Sequence, residues 1–433
     1  MSAAQLTAPK PRWLGLLPDL VVKNVIALYG VQISRKVIPL ASVPYLARVL
    51  GPAGWGEVAF VTALAELIAM LIEFGFTLSA TRSIARHRDD ALERGRIATG
   101  VLCTQTLLAA GCVAVALLVS PHISLLRGHP ALLAAGLAYA VAQGFVPLWY
   151  FQGMERLRLL ATIEISAKAS ALLVLFIFVK GPQDVWRAVA IQAISPAVCV
   201  FLGIRLALRT SSVCRPRRRL LNAVFKESWD MFMFRSAESI YGVANAFLLG
   251  LFASPAIVGY FSSAEKISKA TAGLVNPIRE SLYPRVSSLT QRDRPEGMRL
   301  AKTGAIIMVS LGGVLSAALF LLAGRTIAIL MGGRFEPAVR VLQILSPLPL
   351  LIAVTFSCGQ LFLFPLQKDR TALRAVIRSA AINLCLSCLL SPRWGHTGMA
   401  LAVLVSEAAV AGSLLWNVVR VLPGSAAPIP NAV

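Results

Sequence analysis

Apolar residues run along this chain in blocks of about twenty, separated by short polar or glycine-proline connections. A block of that length is what an α-helix needs to cross about 30 Å of hydrocarbon at about 1.5 Å per residue. The blocks lie near 22–47, 57–82, 97–120, 130–151, 159–180, 185–208, 228–253, 256–284, 303–324, 337–363, 371–391 and 397–420. They predict an all-α integral membrane protein of about 12 transmembrane helices. Gly332, Gly333 and Arg334, following the apolar Ile327–Met331, predict a half-turn on the surface before the tenth span. No connection exceeds about 20 residues, which leaves no length for a soluble catalytic domain between spans.

The polar positions set the orientation. Lys and Arg crowd the connections after even-numbered spans, as in Arg82 to Arg96, Arg205 to Lys226 and Arg285 to Lys302. In all, 22 basic residues lie in or beside those connections, against 8 in the connections after odd-numbered spans. Positive charge is retained on the cytoplasmic side, so both termini are expected in the cytoplasm. The longest basic connection divides the chain into six spans and six. The expected parts are a first lobe at 1–208, a basic cytoplasmic linker at 209–226, a second lobe at 227–422 and a tail at 423–433. A faint repeat agrees with this division. Tyr29-Gly30-Val31 recurs as Tyr241-Gly242-Val243, and Pro52-Ala53-x-x-Gly56 as Pro255-Ala256-x-x-Gly259. Six is even, so the two halves face the same way, as in transporters built from parallel repeats.

Composition narrows the class further. Of the 433 residues, 57% are hydrophobic and 14% charged, a balance that could not clothe a soluble surface of this size. The net charge of +22 would suggest nucleic acid in a soluble protein; here it reads as topogenic charge, and no nucleic-acid partner is expected. The opening MSAAQLTAPKPRW lacks a signal-peptide pattern, so the first span is expected to be retained. Arg215, Arg217, Arg218 and Arg219 fit anionic lipid head groups. Trp149-Tyr150-Phe151, at a helix end, fits an interfacial aromatic belt. Cys385 and Cys388 form a lone CxxC in an apolar run, which favours packing over metal or redox chemistry. No Walker, GxSxG or usable DxD pattern occurs, and no cofactor or metal is expected.

Ionisable residues inside the spans are the candidate chemistry, because a charge at the bilayer centre costs about 3 kcal/mol even on the lenient scale. The first span carries Arg35 and Lys36 beside Pro39 and Pro44, whose missing donors favour a helix that can bend. Glu66 and Glu73, seven apart, share a face of the second, and Glu164 and Lys168 form an i,i+4 pair in the fifth. Arg235 and Glu238 lie three apart in the seventh. In the eighth, Lys266, Lys269, Gly273 and Asn276 draw one stripe, with Arg279 beyond it. Arg35, Lys36, Arg235, Lys266, Lys269 and Arg279 outnumber the acidic partners in their spans, and a surplus of buried cations calls for an anion. They are the candidate ligand residues for an anionic substrate. Glu66, Glu73 and Glu238 are the candidates for ion coupling.

At several of these places the chain resembles a known family. Pro44-x-x-Ala47-Arg48-x-Leu50-Gly51-Pro52, then Gly56 and Glu73-Phe74-Gly75-Phe76, is similar to the opening of Wzx-type polysaccharide repeat-unit flippases, of the multidrug/oligosaccharidyl-lipid/polysaccharide exporter superfamily. Trp149-Tyr150-Phe151-Gln152-Gly153-Met154-Glu155 resembles that family's W-x-F-Q-G-x-E. Val258-Gly259-Tyr260, Ala264-Glu265-Lys266, Tyr283-Pro284-Arg285, Gly395-x-x-Gly398-Met399-Ala400 and Ser406-Glu407 extend the likeness over nearly the whole chain. The resemblance implies two six-helix lobes around a central cavity, in a multi-pass protein of the bacterial inner membrane. It also implies a substrate, an undecaprenyl-pyrophosphate-linked sugar repeat unit moved from the cytoplasmic to the periplasmic leaflet by alternating access. The partners would be that lipid-linked oligosaccharide and membrane lipids, with a polysaccharide polymerase and chain-length proteins acting in the same pathway. The competing readings are a cation-coupled drug antiporter of the same superfamily, whose cavity should be dominated by carboxylates, and an integral-membrane polymerase or ligase, which should need a sizeable exterior loop.

Overall fold

The computed structural model describes the backbone of residues 19–209 and 218–421, and the side chains of 41–209, 220–229, 231–233 and 242–420. Every regular element among the described residues is helical. Each of the twelve apolar blocks becomes helix, in one to three pieces. α1 (Asp19–Glu73) holds the first block and most of the second and breaks at Gly51, whose φ of 71° needs no Cβ. α2 (Phe76–Arg86) completes the second block, and α3 (Ala91–Val119) is the third. α4 (Pro130–Gly144) and α5 (Leu148–Gly153) make the fourth, interrupted at Pro147, and α6 (Leu157–Phe178) the fifth. α7 (Val185–Gln192) and α8 (Ile194–Arg209) form the sixth, and α9 (Arg218–Phe252) the seventh. α10 (Pro255–Ala272) and α11 (Asn276–Arg292) form the eighth, and α12 (Arg294–Leu321) the ninth. α13 (Ala323–Leu330) and a 3-10 turn at Gly333–Phe335 precede the tenth, where the half-turn was expected. The tenth is α14 (Ala338–Leu345), α15 (Leu348–Phe356) and a π-helical turn, Ser357–Leu363. α16 (Asp369–Val421) holds the last two blocks. Its 53 residues would stretch about 80 Å if straight, far beyond one crossing, and the break falls at Gly395, with φ 54°.

Eight helical stretches among the described residues are long and apolar enough to cross a membrane. Their outward faces carry bare Leu118, Leu173, Phe201, Val314, Leu321 and Leu389, a surface suited to lipid. Cys385 and Cys388 lie on the exposed face of α16 instead of in the packed interior.

The core has three parts, and their division describes the state of the molecule. One cluster joins the halves: Trp55, Phe60, Leu132 and Val185 pack in the same body as Val258, Phe261, Val341 and Met399. It lies toward the connections after odd-numbered spans. A second, with Val286, Met308, Leu361 and Val410, belongs to the second half alone. A third, with Phe76, Ile84, Trp149 and Cys199, belongs to the first half, with Phe232 of α9 added. The halves are therefore fused at one end and separate at the end that carries the basic connections.

The fused end is organised around the two copies of the sequence repeat. A Cβ on Gly56 would lie 1.7 Å from the carbonyl oxygen of Pro255, and one on Gly259 would lie 2.0 Å from that of Pro52. Each copy's glycine thus receives the other copy's proline, and only glycine permits backbones so close. Arg48 adds a clasp, donating from Nη2 to the carbonyl of Ile329 at the C-terminal end of α13.

At the other end α9 leans on the first half. Ser79 and Ser228 share a hydroxyl–hydroxyl bond of 2.7 Å, and Ser83 donates to Glu227 at 3.1 Å. Between α1 and α2 the chain breaks at Phe74 (φ 46°) and Gly75 (φ 75°). That break turns the Phe74 ring onto α9, stacked on Phe225 and Phe232 with centroids 4.5 and 4.4 Å apart.

Two local expectations are corrected. Trp149, Tyr150 and Phe151 are 1%, 3% and 2% exposed and face no membrane interface. α5 is short and folds them inward, where Thr81 Oγ1 donates to the Trp149 carbonyl at 3.2 Å. The polar stripe of the eighth span is not continuous, because α10 ends at Ala272 and a 3-10 turn, Gly273–Val275, resets the face before α11. The backbone stays helical through Pro39 and Pro44, and the irregular geometry of α1 falls at Gly51.

Candidate functional site

A cavity of about 520 Å³ opens against the inner face of the first half. α1 contributes Glu66, Glu73 and Trp55, α4 contributes Tyr139 and Gln143, and α6 contributes Glu164 and Lys168. Gln192 and Ser195 follow from α7 and α8. From the second half, Lys266 of α10 reaches in.

The three carboxylates are each engaged. Tyr139 donates its hydroxyl to Glu66 Oε1. The two oxygens of Glu73 accept the backbone N–H groups of Gly75 (3.3 Å) and Thr77 (2.7 Å), orphan donors at the start of α2. Glu164 accepts Lys168 Nζ at 2.6 Å, the pair that the i,i+4 spacing predicts. Lys168 is therefore largely neutralised locally.

Lys266 is different. It is exposed to the cavity, and among the described residues no carboxylate oxygen lies within 4.0 Å of its ammonium. Its neighbour is the Trp55 ring, whose centroid is 4.8 Å from Nζ, a cation–π arrangement. Lys269, one turn on, faces elsewhere. It donates to Glu265 Oε1 at 2.8 Å and to the Gly242 carbonyl at 2.7 Å, and Asn245 Nδ2 joins the same carboxylate oxygen at 2.8 Å. Arg279 stacks 4.4 Å from the Phe356 ring and lies 3.5 Å from Glu280, apart from the cavity wall. The side chains of Arg35, Lys36, Arg235 and Glu238 lie outside the described residues.

Of the nine sequence candidates, Glu66, Glu73 and Lys266 line the cavity. Trp55, Tyr139, Gln143 and Gln192 line it without having been anticipated. Tyr139 and Gln143 were within reach, since polar residues four apart in an otherwise apolar block mark one face. Trp55 was hidden by its place in a Gly-Pro-rich turn. The arrangement can hold an anion at Lys266 and hydroxyl-rich groups along the Tyr139, Gln143, Gln192 and Ser195 wall. Among the described residues no group of His, Cys, Asp and Glu is placed to bind a metal.

Known proteins give the comparison. Residues 21–290 match the model of a family described as polysaccharide biosynthesis protein. The "Putative O-antigen transporter" of Escherichia coli (strain K12) is 29% identical over 402 residues, covering 92% of this chain and 96% of that protein. Among solved structures, an inward-facing multidrug resistance MATE family transporter of the MOP superfamily is similar, with a TM-score of 0.72 at 13% identity, over 95% of this chain and all of that one. Lipid II flippase MurJ in an inward closed conformation is similar with a TM-score of 0.71 at 13% identity, over 92% of this chain and 87% of that one. The two structural likenesses are of fold: twelve helices in two six-helix lobes about a central cavity.

Proposed function

Because this chain belongs to the polysaccharide biosynthesis protein family, we propose that it is a multi-pass membrane flippase, not an enzyme, for an undecaprenyl-pyrophosphate-linked sugar repeat unit. The observation that carries this reading is Lys266, a cavity-facing ammonium whose described neighbours include no paired carboxylate. A pyrophosphate would supply the missing negative charge. Arg35, Lys36 and Arg235 are proposed to join it from the first and seventh spans, whereas Lys269 and Arg279, held by Glu265 and beside Glu280 in this state, would reach the anion only after leaving those partners. The hydroxyl-rich wall formed by Tyr139, Gln143 and Gln192 suits sugars. The lipid tail stays in the bilayer, reached through a gap between the halves.

The basic connections support a cytoplasmic split end and cytoplasmic termini, and in this reading the state receives substrate from the cytoplasmic leaflet. Release to the periplasmic leaflet of the inner membrane requires the fused end to part. Outward movement of negative charge runs with an inside-negative potential, about 2.3 kcal/mol per charge per 100 mV. If an ion is exchanged instead, Glu66 is the best-placed carboxylate, since those of Glu73 are held at a helix start. A polymerase and chain-length proteins would act on the product.

One observation favours a second reading. Glu66, Glu73 and Glu164 outnumber the two lysines among the described cavity residues, as a cation-coupled drug antiporter would want. One set of variants separates the two. Lys266→Gln and Arg235→Ala are expected to abolish surface polysaccharide while the protein stays in the membrane at normal abundance. Normal polymer in both variants, together with drug sensitivity in Glu66→Gln, would give the antiporter reading the case.

A further inference from the structure

Trp55 and the lysine it faces come from different halves of the molecule. Trp55 belongs to the first half, in the helical Gly54-Trp55-Gly56 stretch of α1 at the fused end, yet its ring lies under a lysine of the second half. The ring is 1% exposed, and its indole N–H has no hydrogen-bond acceptor. A buried donor without a partner is costly, so the residue is not held there for its N–H. What it offers is a face, and the group on that face is the Lys266 ammonium.

Its neighbour in sequence makes the contact dependent on the state of the molecule. Gly56 is the glycine that receives the Pro255 carbonyl, and Gly259, which receives that of Pro52, stands seven residues before Lys266 on the same face of α10. The two interlocking contacts bracket Trp55 in α1, at Pro52 and Gly56, and both precede Lys266 in α10, at Pro255 and Gly259. Parting the halves at this end must therefore take the indole away from the ammonium. Without the ring, Lys266 is free to swing toward Glu66 in the same cavity, where it would be neutralised.

We propose that Trp55 is a positioning residue: it holds the Lys266 ammonium toward the anion while the fused end is shut, so anion binding and closure of that end favour each other. This rests on Lys266 being the anion site. Opening the end would release the lysine from the ring, let a carboxylate compete for it and weaken the hold on the pyrophosphate. Loading and unloading would then be set by one contact between the halves.

The test uses the full-length protein in lipid nanodiscs, with inorganic pyrophosphate as the probe and calorimetry as the readout. Trp55→Phe, which keeps an aromatic face, is expected to bind within about twofold of wild type. Trp55→Leu should bind roughly fivefold to tenfold more weakly. Gly259→Ala, which wedges the interlock without touching either ring or ammonium, should weaken binding to a similar degree. Melting temperatures identify variants that fail to fold, and Trp55→Phe keeps the comparison decisive in that case. Equal affinity in Trp55→Leu and Trp55→Phe would overturn the positioning role, and unchanged affinity in Gly259→Ala would overturn the link to closure. Lys266→Gln separates the two layers of the reading. If it binds pyrophosphate as the wild type does, or if the wild type does not bind at all, the site assignment fails and this inference fails with it. If only Lys266→Gln loses binding, the site stands and the role of Trp55 falls.

Discussion

Two lysines one helical turn apart, Lys266 and Lys269, have opposite circumstances. Lys269 closes a compact set of bonds with Glu265, Asn245 and the Gly242 carbonyl, and Glu265 is buried at its centre. Removing the carboxylate leaves the Asn245 amide without its acceptor and the Lys269 ammonium with the Gly242 carbonyl alone, so Glu265→Ala is expected to cost about 2 kcal/mol and Glu265→Gln less. Thermal unfolding in detergent would show this as a lower Tm for Ala than for Gln, and identical melting curves would refute it. Sequence spacing put the two lysines on one stripe, which was correct as far as periodicity reaches. Which of them pairs and which stays available depends on side chains arriving from other helices, and Trp55 arrives from more than two hundred residues away. Reading along one element could not have supplied that partner. The same limit explains Trp149-Tyr150-Phe151: aromatic content at a helix end suggests an interface, but a turn near Pro147 decides which way the rings point.

At the scale of elements, all twelve apolar blocks were legible because length and continuity of apolar sequence are local properties. Their breaks were less so. Gly51 and Gly395 interrupt long runs where a second crossing has to begin, and the turn at Glu73-Phe74-Gly75 cuts the second block short of its expected end. That turn does several jobs at once. The Glu73 carboxylate takes the first free N–H groups of α2, Phe74 stacks on α9, and Gly75 sits so close to α9 that a Cβ would lie 2.7 Å from the Phe232 nitrogen. Glu73→Ala should therefore cost about 1 kcal/mol as a lost cap. Gly75→Ala should cost more, because it meets both a left-handed φ and a backbone contact that cannot give way. Folded yield from membranes is the measurement, and a Gly75→Ala yield equal to that of Glu73→Ala would contradict the packing argument.

For the molecule as a whole, the division of the core says which end is free to move. The clusters of the two halves at the end with the basic connections are separate, yet α9, the first helix of the second half, is tied to α2 through Ser79 and Ser228. A movement of the second half as one body would have to slide or tear this seam. Replacing both serines by cysteine in a background without the native cysteines should allow a disulfide, given hydroxyls already 2.7 Å apart. Oxidation is expected to halt delivery of polysaccharide, and reductant to restore it. Full transport with the bond formed would mean that α9 travels with the first half.

The reciprocal seating of Gly56 on Pro255 and of Gly259 on Pro52 has one more consequence. Each surface patch meets its own counterpart, which is how two copies of one subunit meet across a two-fold axis. A six-helix ancestor with that Pro-Ala-x-x-Gly corner would already have carried everything required to dimerise with itself. Joining two such genes would have kept the dimer's symmetric joint while freeing each copy to diverge, so that one came to supply the indole and the other the amine.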